Sequence, residues 1–201
     1  MILCLHGYVQ NKDIMNKKMC KILGNAYKDR LLCPNGPKRV KITNDDGTEK
    51  EGYGWWSINN KDLIEKPTQS QIDACLKYGR ELIAKWEIEN PKQSIDYAIG
   101  FSQGASCVTL WIQEGIIKPK KVILISNFSL LGYIHTIFDI PSMHIFGDND
   151  DLLWNNFDRN KIEEWSLVKW YKNPTIIFHK WGHVIPSTSK YKKLIRSFCD
   201  L

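Results

Sequence analysis

The sequence predicts an α/β fold, a doubly wound and mostly parallel sheet with helices on both faces. Short runs that are apolar almost throughout recur along the chain, which is how strands read when both faces of their sheet are covered. Between them lie longer segments with apolar residues at helical spacing. A third observation is negative. No internal repeat, low-complexity tract or compositional break divides the 201 residues, so one domain over 1–201 is expected.

The elements follow in order. MILCLHG is a strand running straight into a glycine turn. KDIMNKKMCKILGNAY follows as a helix, with Ile14, Met15, Met19, Ile22 and Leu23 near helical spacing. RLLCPNGP reads as a short strand that its prolines break off. Residues 34–68 carry no clear period and surround the pair Trp55-Trp56 with Gly, Asn and Asp. Such a long irregular stretch in a compact domain is more often functional than idle. SQIDACLKYGRELIAKWEIEN is the longest helix, closed by Pro91, and SIDYAIGF is a buried strand. SQGASCVTLWIQEG is a helix ending at Gly115. The strands KVILIS and SMHIFG, a helix near Asp158 to Tyr171, the strand TIIFHK and a terminal helix from about Pro186 complete the chain.

Bulk properties exclude several classes. Aliphatic and aromatic residues make up 43% of the chain, enough for a folded core. The net charge of +6 comes from lysines scattered at helix edges and connectors, with no zinc finger, winged helix or RNA-binding sheet to go with them. Nucleic acid is therefore not expected as a partner. No window holds about 18 consecutive apolar residues, so no membrane span is expected. The six cysteines show no C-x-x-C spacing, and Cys4, Cys75 and Cys107 fall in apolar periodic segments where they act as small hydrophobes. The opening run is too short for a signal peptide, which makes a cytoplasmic, reducing environment the expectation. Neither a metal nor an organic cofactor is implied.

In an open parallel sheet, ligands sit beyond the carboxyl ends of the strands. After the first strand comes His6-Gly7-Tyr8. After SIDYAIGF comes Ser102, inside Gly100-Phe101-Ser102-Gln103-Gly104, a G-x-S-x-G nucleophile-elbow pattern. A serine on such a tight strand-to-helix turn is strained, and the flanking glycines relieve the crowding. After SMHIF comes Gly147-Asp148-Asn149-Asp150-Asp151, and after TIIFH comes Trp181-Gly182-His183. The chain order Ser, Asp, His is that of α/β-hydrolases.

Roles follow from the chemistry. Serine needs a neighbouring base, and neutral imidazole serves near pH 7. His183 is the candidate because it lies in a loop, whereas His144 and His179 lie in strands, His135 in an irregular segment and His6 in the first turn. Asp148, Asp150 and Asp151 are all in range as the acid; Asp150 is preferred, with Asp151 its rival. The oxyanion would be met by the main-chain N–H groups of Tyr8 and Gln103, whose side chains are incidental to that task.

With these residues in view, the sequence resembles the FSH family of serine hydrolases, within the α/β-hydrolase superfamily. The resemblance is carried by LCLHGYVQN at 3–11, GYGWWSINN at 52–60, AIGFSQGAS at 98–106, FGDNDDLL at 146–153 and WGHVIP at 181–186. It implies Ser102 as nucleophile, Asp150 as acid from a G-x-x-D turn and His183 as base. It also implies a small acyl ester or thioester as substrate, cleaved through an acyl-enzyme. Acyl-protein thioesterases share the G-F-S-Q-G elbow but have a different histidine segment. A non-catalytic ligand binder of the same fold is the rival class, and the intact serine, acid and histidine set speaks against it. Trp55 and Trp56 read either as core residues anchoring the long loop, the safer reading for an adjacent aromatic pair, or, with Val9, Leu152 and Leu153, as walls of the acyl pocket. Residues 34–68 are expected to fold over it as a lid carrying the two tryptophans.

Overall fold

The computed structural model describes residues 1–43, 46–58, 66–130 and 132–201. Among them, six parallel strands form one sheet in the order β2-β1-β5-β6-β7-β8. These are β1 (Ile2–Leu5), β2 (Leu31–Leu32), β5 (Tyr97–Phe101), β6 (Lys121–Ile125), β7 (Ser142–Gly147) and β8 (Pro174–His179). The chain steps outward from β1 to β2 and then returns to β5 on the other side. The strand order therefore reverses at β1/β5, which opens a crevice at their carboxyl ends.

Alternation along each strand builds two cores. Leu3, Leu5, Ala98, Val122 and Leu124 face the layer holding α2 (Gln69–Glu89) and α3 (Gln103–Gln113). Ile2, Cys4, Ile99, Ile123, Ile125 and Ile145 face α1 (Lys12–Leu23) and α6 (Ser189–Phe198). The helix ends are written locally. Asn11 caps α1 by accepting from Ile14 N–H at 2.9 Å, and Thr68 and Gln71 form a capping box on α2. Arg196 Nε donates to the Ile22 carbonyl at 3.0 Å and ties α6 to α1. The doubly wound, mostly parallel sheet expected from the apolar runs is the sheet observed.

Three local readings need correction. The stretch 34–68 is not irregular throughout: Lys38–Thr43 (β3) and Glu49–Gly54 (β4) pair as an antiparallel hairpin beside the main sheet. Its pattern is mostly polar because both strands are largely exposed, which hides the period. The expected helix near Asp158 to Tyr171 breaks into two short 3₁₀ turns, 159–161 and 167–170, around α5 (Ile162–Trp165). Ser166 interrupts it with extended backbone, its hydroxyl accepting from Val168 N–H at 3.2 Å. Trp165, meanwhile, stacks on Phe157 at 4.4 Å. Finally, a one-turn helix, α4 (Asp151–Trp154), follows the acidic turn where none was expected.

The cysteines are free thiols, and Cys75 and Cys107 lie 3.5 Å apart in the core without a bond. Among the described residues no helix is long and apolar enough to cross a membrane. No group of three or more His, Cys, Asp or Glu converges there as a metal site would require.

Candidate active site

Ser102 stands between β5 and α3 at φ 53, ψ −122, a strained conformation for a residue with a side chain. The flanking glycines make the turn sterically possible. A Cβ on Gly100 would meet Ala105 Cα at 2.4 Å, and one on Gly104 would meet the Leu5 carbonyl oxygen at 2.3 Å. The turn is anchored by Ser102 N–H, which donates to the Ile125 carbonyl at 2.8 Å. The α3 helix then runs directly behind the serine, buried along nearly its whole length.

The acidic turn resolves into three different environments. Asp148 pairs with Arg159 at the surface. Asp151 is exposed and begins α4. Asp150 alone is fully buried, and both its carboxylate oxygens lie 2.9 Å from His183 Nδ1. Its Oδ1 also accepts from Leu153 N–H at 3.2 Å, so the cap that starts α4 aims the carboxylate. With Nδ1 engaged, His183 Nε2 is the nitrogen left open, and among the described residues it has no partner. The His183 ring rests against Phe101, centroids 5.0 Å apart.

Ser102 and His183 border one cavity of about 230 Å³, lined also by Tyr8, Val9, Gln10, Ile42, Lys50, Phe101 and Leu152. No hydrogen bond joins serine to histidine, as is common until a substrate tightens such geometry. The main-chain N–H groups of Tyr8 and Gln103 likewise have no partner among the described residues, so both donors are open. The turn that carries Tyr8 is itself strained, with Val9 at φ 55.

Of the other histidines, His135 is exposed, and His6, His144 and His179 are buried in the scaffold. His6 is buried: Nδ1 lies 2.7 Å from the Gly7 carbonyl, and Nε2 accepts from Gly36 N–H at 3.0 Å. Burial holds its pKa below the ordinary value, with the Gly7 bond opposing. His144 is buried between Asn127 and Ser142, and burial pushes it down to about 3. His179 is buried against Trp181 and Tyr191, which also lowers its pKa.

Of the expected pocket walls, Val9 and Leu152 line the cavity, and Trp55, Trp56 and Leu153 do not. Trp55 and Trp56 are 0% and 1% exposed, part of the core under the hairpin. The Trp55 indole donates to the His6 carbonyl at 2.9 Å and meets Trp111 edge-on at 5.6 Å. Leu153 is likewise buried, turned inward by α4. The Gln103 side chain, incidental to the oxyanion, has a structural task of its own: Oε1 accepts from Trp55 N–H at 2.8 Å, and Nε2 donates to the Trp56 carbonyl at 3.1 Å. That amide buttons the hairpin segment to the start of α3.

The described part of the expected lid is a docked hairpin. Gly52 lies so close to the first loop that a Cβ there would meet Val9 at 2.5 Å, and Tyr53 N–H donates to the Gln10 carbonyl at 2.7 Å. The docked hairpin thereby presents Ile42 and Lys50 to the cavity. Those two residues, Gln10 and Phe101 were not expected in the wall. The Asp46-Gly47 pair was a readable hairpin signal for the first two. The portion of the expected lid at 44–45 and 59–65 lies outside the described residues.

Comparison with known proteins bears on the family and the fold. The family model described as "Serine hydrolase (FSH1)" matches residues 1–195. "Esterase C25G4.2" of Caenorhabditis elegans is 30% identical over 98% of this chain and 91% of its own. "Esterase OVCA2" of Xenopus tropicalis is 26% identical over 99% of this chain and 91% of its own. Among solved structures, a carboxylesterase from Mesorhizobium loti superposes with a TM-score of 0.70 at 16% identity, covering 99% of this chain and 87% of that one.

Proposed function

The chain belongs to the FSH1 family of serine hydrolases, and from that premise we propose that it cleaves small acyl esters or thioesters through an acyl-enzyme on Ser102. In this reading His183 is the base and Asp150 the acid. The observation that carries it is the pairing of a strained, glycine-flanked serine with a carboxylate-bound histidine on one cavity.

The steps follow from the atoms. His183 Nε2 takes the proton of Ser102 Oγ as the oxygen attacks the substrate carbonyl, and Asp150 stabilises the imidazolium from Nδ1. The tetrahedral oxyanion forms between the open N–H groups of Tyr8 and Gln103, whose dipoles need no reorganisation. His183 then protonates the departing alcohol or thiol, and the same base activates water for deacylation. At about 230 Å³ the cavity is smaller than the ~300–1,000 Å³ usual for drug-sized ligands, which suits a short acyl chain.

The test is labelling with a fluorophosphonate followed by peptide mass analysis, together with ester turnover in variants. One adduct on Ser102 is expected. Ser102→Ala should lose on the order of 10⁴-fold in turnover and Asp150→Asn about 10³- to 10⁴-fold, while Asp148→Asn and Asp151→Asn stay mild. A Ser102→Ala protein that keeps more than about a tenth of the rate ends this reading. So does folded wild-type protein that takes up no label.

A further inference from the structure

The charge around the cavity is one-sided. Besides His183, its lining contributes one charged group, Lys50, and no carboxylate. Lys50 pairs with Ile42 across the hairpin, on the face that lies against the first loop through Gly52. Its neighbours Glu49 and Glu51 alternate to the opposite face, where Glu49 bonds Lys41 at 2.7 Å. A second ammonium arrives from α1. Lys18 Nζ stands 5.4 Å from the centroid of Phe101, the ring that packs on His183.

Neither lysine has an ion-pair partner among the described residues. Some lysines elsewhere do, such as Lys120 with Asp96, Lys121 with Asp200 and Lys172 with Asp139, so the pair at the cavity is set apart by its position. Burial, and then repulsion from Lys50, hold the Lys18 ammonium below its ordinary pKa, so the two charges feel one another. Lys50 lines the cavity and Lys18 stands over Phe101, one of its walls, so two cations from separate elements border the site without a counter-ion. A bound anion supplies one and gains charge-assisted hydrogen bonds.

We propose that the mouth of the cavity is an anion subsite, where Lys18 and Lys50 together hold a carboxylate or phosphate carried by the substrate. This rests on the hydrolase reading above and names its substrate class: an ester or thioester with one anionic half. The anion has two possible sources, the far end of a short dicarboxylic acyl group or a phosphate on the alcohol or thiol. In either case the ester bond is cleaved as before, and the anion is a handle that does not react.

Two matched substrate pairs test this. The mono-4-nitrophenyl ester of glutaric acid is set against 4-nitrophenyl pentanoate, which places the charge on the acyl side. The butyryl thioester of phosphopantetheine is set against that of pantetheine, which places it on the leaving group. One pair should favour its anionic member by about tenfold in kcat/KM at low salt, chiefly through KM. Raising salt to 0.5 M should shrink the preference, since the Debye length falls to roughly 4 Å. In a Lys18→Gln/Lys50→Gln double variant the ratio should approach one, and Lys18→Arg/Lys50→Arg should restore most of it.

Equal turnover within both pairs overturns the subsite, as does a preference that survives the double Gln variant. Either result, with neutral esters still cleaved in a Ser102-dependent way, leaves the hydrolase reading standing. If no ester is cleaved and Ser102 takes no label, the hydrolase reading falls instead. Calorimetric titration of glutarate and of inorganic phosphate into the wild-type protein then decides the subsite by itself. Binding of either that weakens about tenfold in the double Gln variant supports it, and no difference overturns it.

Discussion

The excursion between β2 and α2 has a base and a tip that behave as different materials. At the base, Trp55 and Trp56 are sealed in the core, and three groups from two elements pin them: the His6 carbonyl after β1, and the Gln103 amide and the edge of Trp111 on α3. At the tip, the hairpin is mostly exposed and touches the body through the Val9–Gln10 backbone, leaving Ile42 and Lys50 over the cavity. The residues that look chemically rich are scaffold, and those that look like an ordinary surface strand line the candidate site. Aromatic area is most useful where it is buried, so a tryptophan pair in a long loop is read first as an anchor.

The sharpest way to break this contrast is Trp55→Ala. Removing a fully buried indole should cost about 3–5 kcal/mol, because the surroundings collapse only partly into the void. The loss should appear in chemical denaturation, and acetyl and butyryl ester turnover should fall in the same proportion. A variant of unchanged stability that loses only longer acyl chains would return Trp55 to the pocket.

Gln103→Ala probes the same base from the other side. It leaves Trp55 N–H and the Trp56 carbonyl buried without partners, at a cost of about 1–3 kcal/mol for each group. The Gln103 main-chain N–H is untouched, so kcat for a short ester should fall much less than stability does. A large kcat loss without destabilisation would mean that the amide acts on the reaction and not on the hairpin.

Acid should loosen the base before the tip. The His6 pKa is depressed in the folded protein, so below its ordinary value of 6.5 the unfolded chain binds the proton more readily. Stability present above that pH is therefore lost as pH falls toward the folded pKa. Protonation also turns Nε2 into a donor facing Gly36 N–H, which breaks the bond that starts the excursion. His144, lowered to about 3, adds a loss of about 2 kcal/mol between pH 7.5 and 5, outside the excursion. Denaturant midpoints at the two pH values should fall for wild type and fall less for His6→Gln, whose amide oxygen still accepts from Gly36. Parallel losses in both proteins would place the acid sensitivity elsewhere.

What could be read from the sequence divides along the same line. Strands buried on both faces betray themselves as apolar runs, and the turns after them are then known positions on one edge. That is how Ser102, Asp150 and His183 were singled out and why they meet on one edge of the sheet. The turn pattern already preferred Asp150 over Asp148 and Asp151, but its physical reason was not legible there, because Arg159 and the α4 cap that give the three different surroundings lie downstream. The hairpin was invisible to periodicity, since Val40 and Ile42 are half-buried among lysines and arginine and Gly52 has no side chain to show. The structural task of the Gln103 side chain was hidden for a related reason. Its backbone has a place in the elbow pattern, while its side chain answers to residues 48 and 47 positions away.

The smallest expected effect belongs to the tip, and it separates wall from scaffold most finely. Ile42 is half-buried on an exposed strand, so Ile42→Ala removes little packing and should shift thermal stability far less than Trp55→Ala. Its side chain nonetheless lines the cavity together with Phe101 and Leu152. An acyl chain long enough to reach it buries its last methylenes there, each worth about 0.8 kcal/mol when fully covered. Truncation uncovers one or two of them in part. The ratio of kcat/KM for hexanoyl to acetyl esters should therefore fall severalfold, with acetyl turnover close to wild type and the melting transition nearly unmoved. If the ratio stays fixed while the melting temperature drops, the hairpin tip is scaffold like its base, and the acyl chain must be held by Tyr8, Val9, Phe101 and Leu152 alone.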